Sequence, residues 1–275
     1  MTWEVKQYAP LINKIFQEGH KRSTRAGDAY SIFGEVLTIN VEHEFPLLRG
    51  RKMFYKPVLG ELAAMLRGPK HVNDFKQYGC NYWDEWGSEE TFGDNPQLQG
   101  SLNLDYGNAW LDFNGVNQLE QLVDTLRNNP TDRRMVISGW RPDNIPNLSL
   151  PCCHMLYQWY VRNGTHLDMV WYQRSVDTMV GLPSDIILAA AWNIILATQT
   201  GYTPGIVKLV LGDTHIYANH IQPTVDYIRQ VNTITKVEPA TYKMDPGVTI
   251  SNFVPNMLEI TKYEPKPAIK FELNV

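Results

Sequence analysis

The segment from Leu182 to Thr198 constrains the fold of this chain most. It is apolar almost all the way round, so a helix here has no face to offer to water and must be the most buried one in the molecule. Its longest apolar run, Ile186 to Ala197, contains Asn193 and is too short to span a bilayer. The expectation is the central helix of a globular domain, with no membrane partner. A chain of 275 residues, 43% of them hydrophobic, can build such a core as one domain.

Other elements follow from spacing. Val5, Tyr8, Leu11, Ile12, Ile15 and Phe16 recur at helical intervals, with Pro10 arguing for a kink or a late start and Gly19 for a stop. Lys21 to Asp28 is a basic, turn-rich loop, and Tyr30 to Asn40 is a strand. Pro57 opens a helix that runs to Arg67, and Val116 to Leu126 forms another. Strands are expected at Met135 to Trp140, Met155 to Val161, His166 to Tyr172 and Val207 to Leu211, and a helix at Ala218 to Gln230. Short strands and Pro-rich turns complete the chain to Val275. Strands and helices mix without strict alternation, and no repeat or long linker divides them. This is the pattern of a single α+β domain over 1–275.

Composition excludes some functions. The formal net charge is -4, whereas a duplex reader carries an excess of Lys and Arg. Direct nucleic-acid binding is not expected, and any anion must be met by local arginines. The three cysteines, Cys80, Cys152 and Cys153, do not form a secreted disulfide framework. The N-terminus lacks the charged-then-apolar pattern of a signal peptide. A soluble protein of the reducing cytoplasm is expected.

The chemistry is concentrated in Leu150-Pro151-Cys152-Cys153-His154, Gln173-Arg174-Ser175-Val176-Asp177 and Gly181-Leu182-Pro183-Ser184-Asp185. They supply a candidate nucleophile, anion clamp and base reader. A lone Cys is ordinarily a small buried hydrophobe, and here its neighbours argue otherwise. A zinc site at Cys152, Cys153 and His154 is disfavoured: adjacent cysteines do not easily share one tetrahedron, and no spaced pair accompanies them. Glu61 lies among Leu59, Leu62, Ala63, Met65 and Leu66; if buried, it would have a raised pKa suited to proton transfer. Asn81 to Trp86 and Tyr106 to Trp110 are aromatic clusters, core by default and able to stack a flat heterocycle.

Taken in order, Arg25-Ala26-Gly27, Gly60-Glu61-Leu62, Trp83-Asp84-Glu85-Trp86, Asp132-Arg133-Arg134, Pro151 to His154, Gln173 to Asp177, Gly181 to Pro183, Gly212-Asp213-Thr214-His215-Ile216-Tyr217 and the tail from Tyr263 resemble the thymidylate synthase family over nearly the whole length. The resemblance implies a homodimer with a large mixed sheet at its interface. It implies a pyrimidine nucleotide and 5,10-methylenetetrahydrofolate as substrates, with no metal. Cys153 would add to ring carbon C6; Cys152 stands where the family usually has proline. Arg25, Gln173, Arg174 and Ser175 would hold the nucleotide, with Arg133 and Arg134 reaching in from the partner subunit. His215 and Tyr217 would bind the sugar 3′-hydroxyl. Asp177 and Gly181 would meet the pterin, and Trp83 and Leu150 would pack around the folate ring. Glu61, His154 and Tyr106 would organise water and proton transfers. Arg51 and Lys52 could meet the folate tail, and Val275 could close the site. A thiolate needs a cationic neighbourhood, which four arginines around a phosphate would supply.

One position departs from the pattern. After Gly-Leu-Pro the family has an apolar residue and Asn; here Ser184 and Asp185 follow. An Asn amide matches O4 and N3-H of uracil. Facing cytosine, it must flip or leave polar atoms unpaired, at about 1–3 kcal/mol. A protonated carboxyl can donate to N3 of cytosine and accept from its amino group. A cytidylate, dCMP above all, is therefore the expected substrate. The plainer account of Asp185 is a helix-start residue. Cytidylate enzymes of this kind resemble either hydroxymethylases, giving 5-hydroxymethyl-dCMP, or methylases, giving 5-methyl-dCMP and dihydrofolate. The first is favoured here, as in phages that modify their cytosine, with the host cytoplasm as its place. A dUMP thymidylate synthase that tolerates Asp185 and a non-catalytic nucleotide-binding homologue are the alternatives.

Overall fold

The computed structural model describes residues 2–87, 99–235 and 238–274. A π-helical turn, Glu4–Tyr8, leads into α1 (Ala9–Glu18), with Pro10 in its first turn and Gly19 after its end. The backbone is already helical ahead of Pro10, so the helix does not start late there; Pro10 falls where the π-helical turn gives way to α1. The expected basic loop is instead a hairpin, β1 (His20–Thr24) against β2 (Gly27–Asn40), with Arg25 and Ala26 at its tip. Every β1 residue is exposed, so no alternation marks it as a strand.

Next come α2 (Tyr55–Met65), α3 (Val72–Lys76), α4 (Asn108–Leu111), α5 (Gln118–Asn128) and β3 (Val136–Ser138). The centre is β4 (His154–Arg162), β5 (His166–Asp177), α6 (Gly181–Thr200) and β6 (Thr203–Tyr217). A short 3-10 turn, Ala218–His220, precedes α7 (Ile221–Asn232); β7 (Thr241–Met244) and β8 (Leu258–Thr261) form a separate pair. The six-stranded sheet runs β1-β2-β6-β5-β4-β3. Among the described residues only β5 and β6 pair in parallel, and α6 is the crossover that a parallel pair requires. The expected α+β architecture with a large mixed sheet is present.

Helix α6 is long and apolar enough to cross a membrane by length and composition, yet it is the core helix, with residues Ile186 to Ala197 all buried. Trp192 stacks on Trp110, with ring centroids 4.4 Å apart, and meets Tyr157 and Trp159 of β4 edge-on or tilted. The single amide in the run is half satisfied: Asn193 donates to the Leu167 carbonyl at 2.9 Å, where the β5–β6 register shifts, while its Oδ1 is buried without a hydrogen bond among the described residues. An unpaired amide there would cost about 1–3 kcal/mol.

Both site-bearing strands outrun their apolar pattern. β5 continues through Gln173 to Asp177, and β6 through Gly212 to Tyr217. Ser175 pairs with Asp213 and Asp177 with His215, so two distant motifs lie side by side. Gly212 permits this approach: a Cβ there would come within 2.7 Å of the Arg174 carbonyl oxygen. A register shift between His154 and Leu156 opens β4. Buried positions run 154, 157, 159 and 161, and the irregularity turns His154 inward with Tyr157 despite their odd spacing.

Candidate active site

Cys153 stands just ahead of β4, and the structure separates the two thiols. Cys152 is 1% exposed; Cys153 retains partial exposure. Three bonds brace the Cys153 backbone and its approach. Its N–H donates to the Tyr106 hydroxyl at 2.5 Å, its carbonyl accepts from Arg174 N at 2.8 Å, and Arg174 Nε donates to the Cys152 carbonyl at 2.7 Å. The guanidinium also reaches the Pro151 carbonyl at 3.0 Å and lies over Trp140.

A cationic neighbourhood that lowers the thiol pKa is only partly present. Burial pushes Cys153 up; Arg174 pulls it down, and Asp185 and Asp177 push it further up. The net direction is upward because burial outweighs Arg174 and the Tyr106 hydrogen bond, which act the other way. Arg25 is exposed at the hairpin tip. Arg133 and Arg134 are exposed in the turn before β3, beside a recess lined by Asn129, Thr131 and Asp132. Asp132 grips Arg134 with bonds of 2.9 and 2.7 Å. Val136 pairs with Gln158, which sets Arg134 opposite Tyr160. At about 3.3 Å per residue, Arg134 is then roughly 23 Å along the strand from Cys153. These two arginines do not serve the thiol of their own chain.

Asp185 lies in the second turn of α6, beyond the start at Gly181, so it is not a helix-start cap. Its Oδ2 accepts from Gln173 Nε2 at 2.6 Å. Burial raises its pKa to about 8; Gln173 opposes this, and Glu61 and Asp177 add to it. His154 Nε2 stands 3.9 Å from Asp185 Oδ1. This is not an ion pair at neutral pH: burial lowers the His154 pKa to about 3, so a neutral imidazole faces a protonated acid. The His154 ring packs against Tyr106 and Trp171, and its Nδ1 meets the Tyr157 hydroxyl at 2.7 Å.

Glu61 of α2 is buried, and burial lifts its pKa to about 7, against a 2.9 Å hydrogen bond from Trp83 Nε1. Trp83 stacks on Phe75 and touches Trp86 and Tyr106. Leu150 is half-buried against the core. On β6, His215 is buried with Nδ1 3.3 Å from the Asp213 carbonyl, and its ring meets Tyr217 edge-on.

Asp177 ends β5. Its Oδ1 accepts from Met179 N and Val180 N at 3.0 and 3.2 Å, leaving Oδ2 without a hydrogen bond among the described residues. A free, partly shielded acceptor suits the donor edge of a pterin. Gly181 stands between Asp177 and Asp185: a Cβ added to it would lie 3.8 and 3.7 Å from them. Arg51 is buried, donates to the Met179 carbonyl, and lies 4.6 Å over the Phe271 ring. Lys52 is exposed over Phe54. Val275 lies outside the described residues.

Several contributors were not foreseen. Arg22 pairs with Asp213, whose carboxyl is held below its usual range, first by its hydrogen bond with His215. His220 Nε2 meets the Glu272 carbonyl at 2.7 Å, and Asn274 donates to the Ala26 carbonyl at 3.0 Å, tying the tail to the Arg25 turn. The Asn-His pair after Tyr217 and the Gly in Gly212-Asp213 were the available signals. Among the described residues, no three His, Cys, Asp or Glu side chains converge as metal ligands.

The site thus gathers a partly exposed cysteine on a braced backbone, two carboxyls whose pKa values burial raises, and an Asp177 oxygen without a hydrogen bond among the described residues. The chain belongs to the thymidylate synthase family, whose model matches residues 6–275. The thymidylate synthase of Enterobacteria phage T4 is 36% identical over 234 residues, covering 82% of this chain and 81% of that protein. The protein is thus a folate-dependent one-carbon transferase of a family that binds nucleotide and methylenetetrahydrofolate as homodimers.

Proposed function

We propose that the protein transfers a one-carbon unit from 5,10-methylenetetrahydrofolate to C5 of dCMP and releases 5-hydroxymethyl-dCMP. The carrying observation is Asp185, a carboxyl with 13% of its side chain exposed that accepts from Gln173 and whose pKa burial raises to about 8. Such a group donates to N3 of cytosine and accepts from its amino group. Against uracil, one of its oxygens would face the O4 acceptor.

Each residue then has a step. Cys153 gives its electron pair to C6 while the Asp185 proton passes to N3, making C5 an enamine carbon. C5 bonds to the methylene carbon as that carbon's bond to one folate nitrogen breaks, and C5 gives up its hydrogen as a proton to solvent. Tetrahydrofolate departs on cleavage of the second carbon–nitrogen bond. Its two nitrogens take protons from solvent, and an exocyclic methylene remains on C5. Glu61 takes a proton from water as the water oxygen adds to that carbon. Cys153 leaves C6 with its electron pair, and the N3 proton returns to Asp185. The phosphate is held by Arg25, Arg174 and Ser175, and by the partner subunit's Arg133 and the partner subunit's Arg134. The exposed sheet face, with Phe33, Val36, Leu156, Tyr160 and Val170, supports this dimer, because such a patch in water marks an interface. His215 and Tyr217 take the sugar, Asp177 and Gly181 the pterin. A soluble cytoplasmic enzyme, in host cytoplasm if phage-encoded, fits this role.

One observation favours a second product. The bond from Trp83 to Glu61, within a closed aromatic cluster, restrains the base and limits water, which suits hydride transfer and 5-methyl-dCMP. Incubation with methylenetetrahydrofolate and dCMP, CMP or dUMP, read by mass spectrometry, separates these readings. Hydroxymethyl-dCMP without dihydrofolate is expected. Methyl-dCMP with dihydrofolate keeps the role of Asp185 and changes the product; turnover of dUMP alone removes that role. Asp185→Asn should shift preference toward dUMP by about 10- to 100-fold, the worth of one unpaired buried group.

A further inference from the structure

Outside the residues assigned above, the most fully engaged buried acid is Glu4, in the π-helical turn Glu4–Tyr8. Its Oε2 accepts from Arg49 N at 2.8 Å; its Oε1 accepts from Gly50 N at 2.9 Å and from the Tyr227 hydroxyl at 2.6 Å. Three donors converge on one carboxylate, an arrangement only an acceptor-only group satisfies. The turn it holds has no slack. A Cβ on Gly50 would come within 2.3 Å of Val231 and 2.8 Å of Tyr227.

The next residue after that turn is Arg51. Its guanidinium donates to the Met179 carbonyl, in the turn whose amides hold Asp177, and lies over Phe271 of the tail. Phe271 in turn packs on His220, which meets the Glu272 carbonyl. The same π-helical turn grips the site a second time, since the Tyr8 hydroxyl donates to the Thr178 carbonyl at 2.5 Å. The path from Glu4 thus ends on the Asp177–Gly181 turn and the tail. The contacts of Gln173, Asp185 and Cys153 lie elsewhere, and among the described residues the tail meets the phosphate side at one bond, from Asn274 to the Ala26 carbonyl beside Arg25.

We propose that Glu4 is a positioning residue for the folate half of the site: by clamping the Arg49–Gly50 turn it seats Arg51 against the Asp177–Gly181 turn and the C-terminal tail. The assignment rests on the reading of Asp177 and Gly181 as pterin contacts. Glu4→Gln tests it, because the amide NH2 would face an N–H donor. The KM for methylenetetrahydrofolate should rise about tenfold while nucleotide affinity, measured by calorimetry with dCMP and with dUMP, stays within about twofold. Protease cleavage in 263–274 should quicken in the same variant. Tyr227→Phe, which removes one bond and keeps the core volume, should raise the folate KM by about threefold and serves if Glu4→Gln does not fold. An unchanged folate KM, or an equal weakening of both substrates, overturns the proposal, since a merely structural carboxylate would lower the melting temperature without separating the two. If dUMP alone is turned over, the same separation is read with dUMP, so this proposal and the dCMP reading fail independently.

Discussion

Gln173 and Asp185 stand on β5 and α6 and touch each other directly, whereas Arg51, Asp177 and Phe271 are joined through backbone carbonyls, amides and a ring face contributed by three separate segments. The base-reading pair is therefore built from regular elements around the buried helix, and the folate half from loops and the tail. Elements locked by core packing hold a side chain to a narrow geometry. Loops stitched by carbonyl bonds open with less free energy. The difference teaches where to expect a change of chemistry and where to expect only a change of affinity.

The sharpest way to break this comparison is at the nucleophile. Cys153→Ser should lower turnover on the order of 10⁴-fold, as loss of a covalent nucleophile does. Cys152→Ser, on a thiol buried under the same loop, should leave turnover within about tenfold and change stability instead. Steady-state rates on both variants decide it, and equal losses would mean that the two thiols were assigned wrongly.

The next effect is on pH. Cys153, whose pKa burial pushes up, must lose a proton to attack, and Asp185 must keep one to donate to N3. So kcat/KM for dCMP should rise with pH to a break near Asp185's pKa of about 8 and fall along an alkaline limb only above the Cys153 pKa. Asp185→Asn should erase that limb. The stability effect has a definite sign. The folded pKa lies above the unfolded value of about 3.9. Between those values the native state holds a proton that the unfolded chain has released, so Asp185 costs stability increasingly as pH rises through that window. Asp185→Asn should therefore gain more in melting temperature at pH 8 than at pH 5; a pH-independent gain would remove the buried acid from the account.

The smallest effect tests the folate half. Phe271→Ala removes the ring beneath Arg51, a contact worth about 1 kcal/mol, and should raise the folate KM by about fivefold with the nucleotide KM unchanged. A matching rise for the nucleotide would mean that the halves are not separately built.

Much of the fold was legible because burial leaves a mark on composition. The apolar run of α6, the helical spacing of α1 and the core of β2, β4 and β5 could be placed from periodicity alone. The exposed β1 strand and the polar ends of β5 and β6 could not, because a strand held by backbone pairing need not alternate. In the site, local motifs pointed to Cys153, Glu61 and Asp185, and burial of the two carboxyls agrees with the expectation of raised pKa values.

What the sequence determined by itself was the set of chemical groups and the hydrophobic pattern that folds them, since both are local properties of residue type and spacing. Tertiary structure decided which thiol is half-exposed, that His154 stays neutral, that Arg133 and Arg134 lie far from their own Cys153, and that Glu4 reaches the Arg49–Gly50 turn. These depend on desolvation and on distances between segments remote in the chain, and neither quantity exists until the chain has packed.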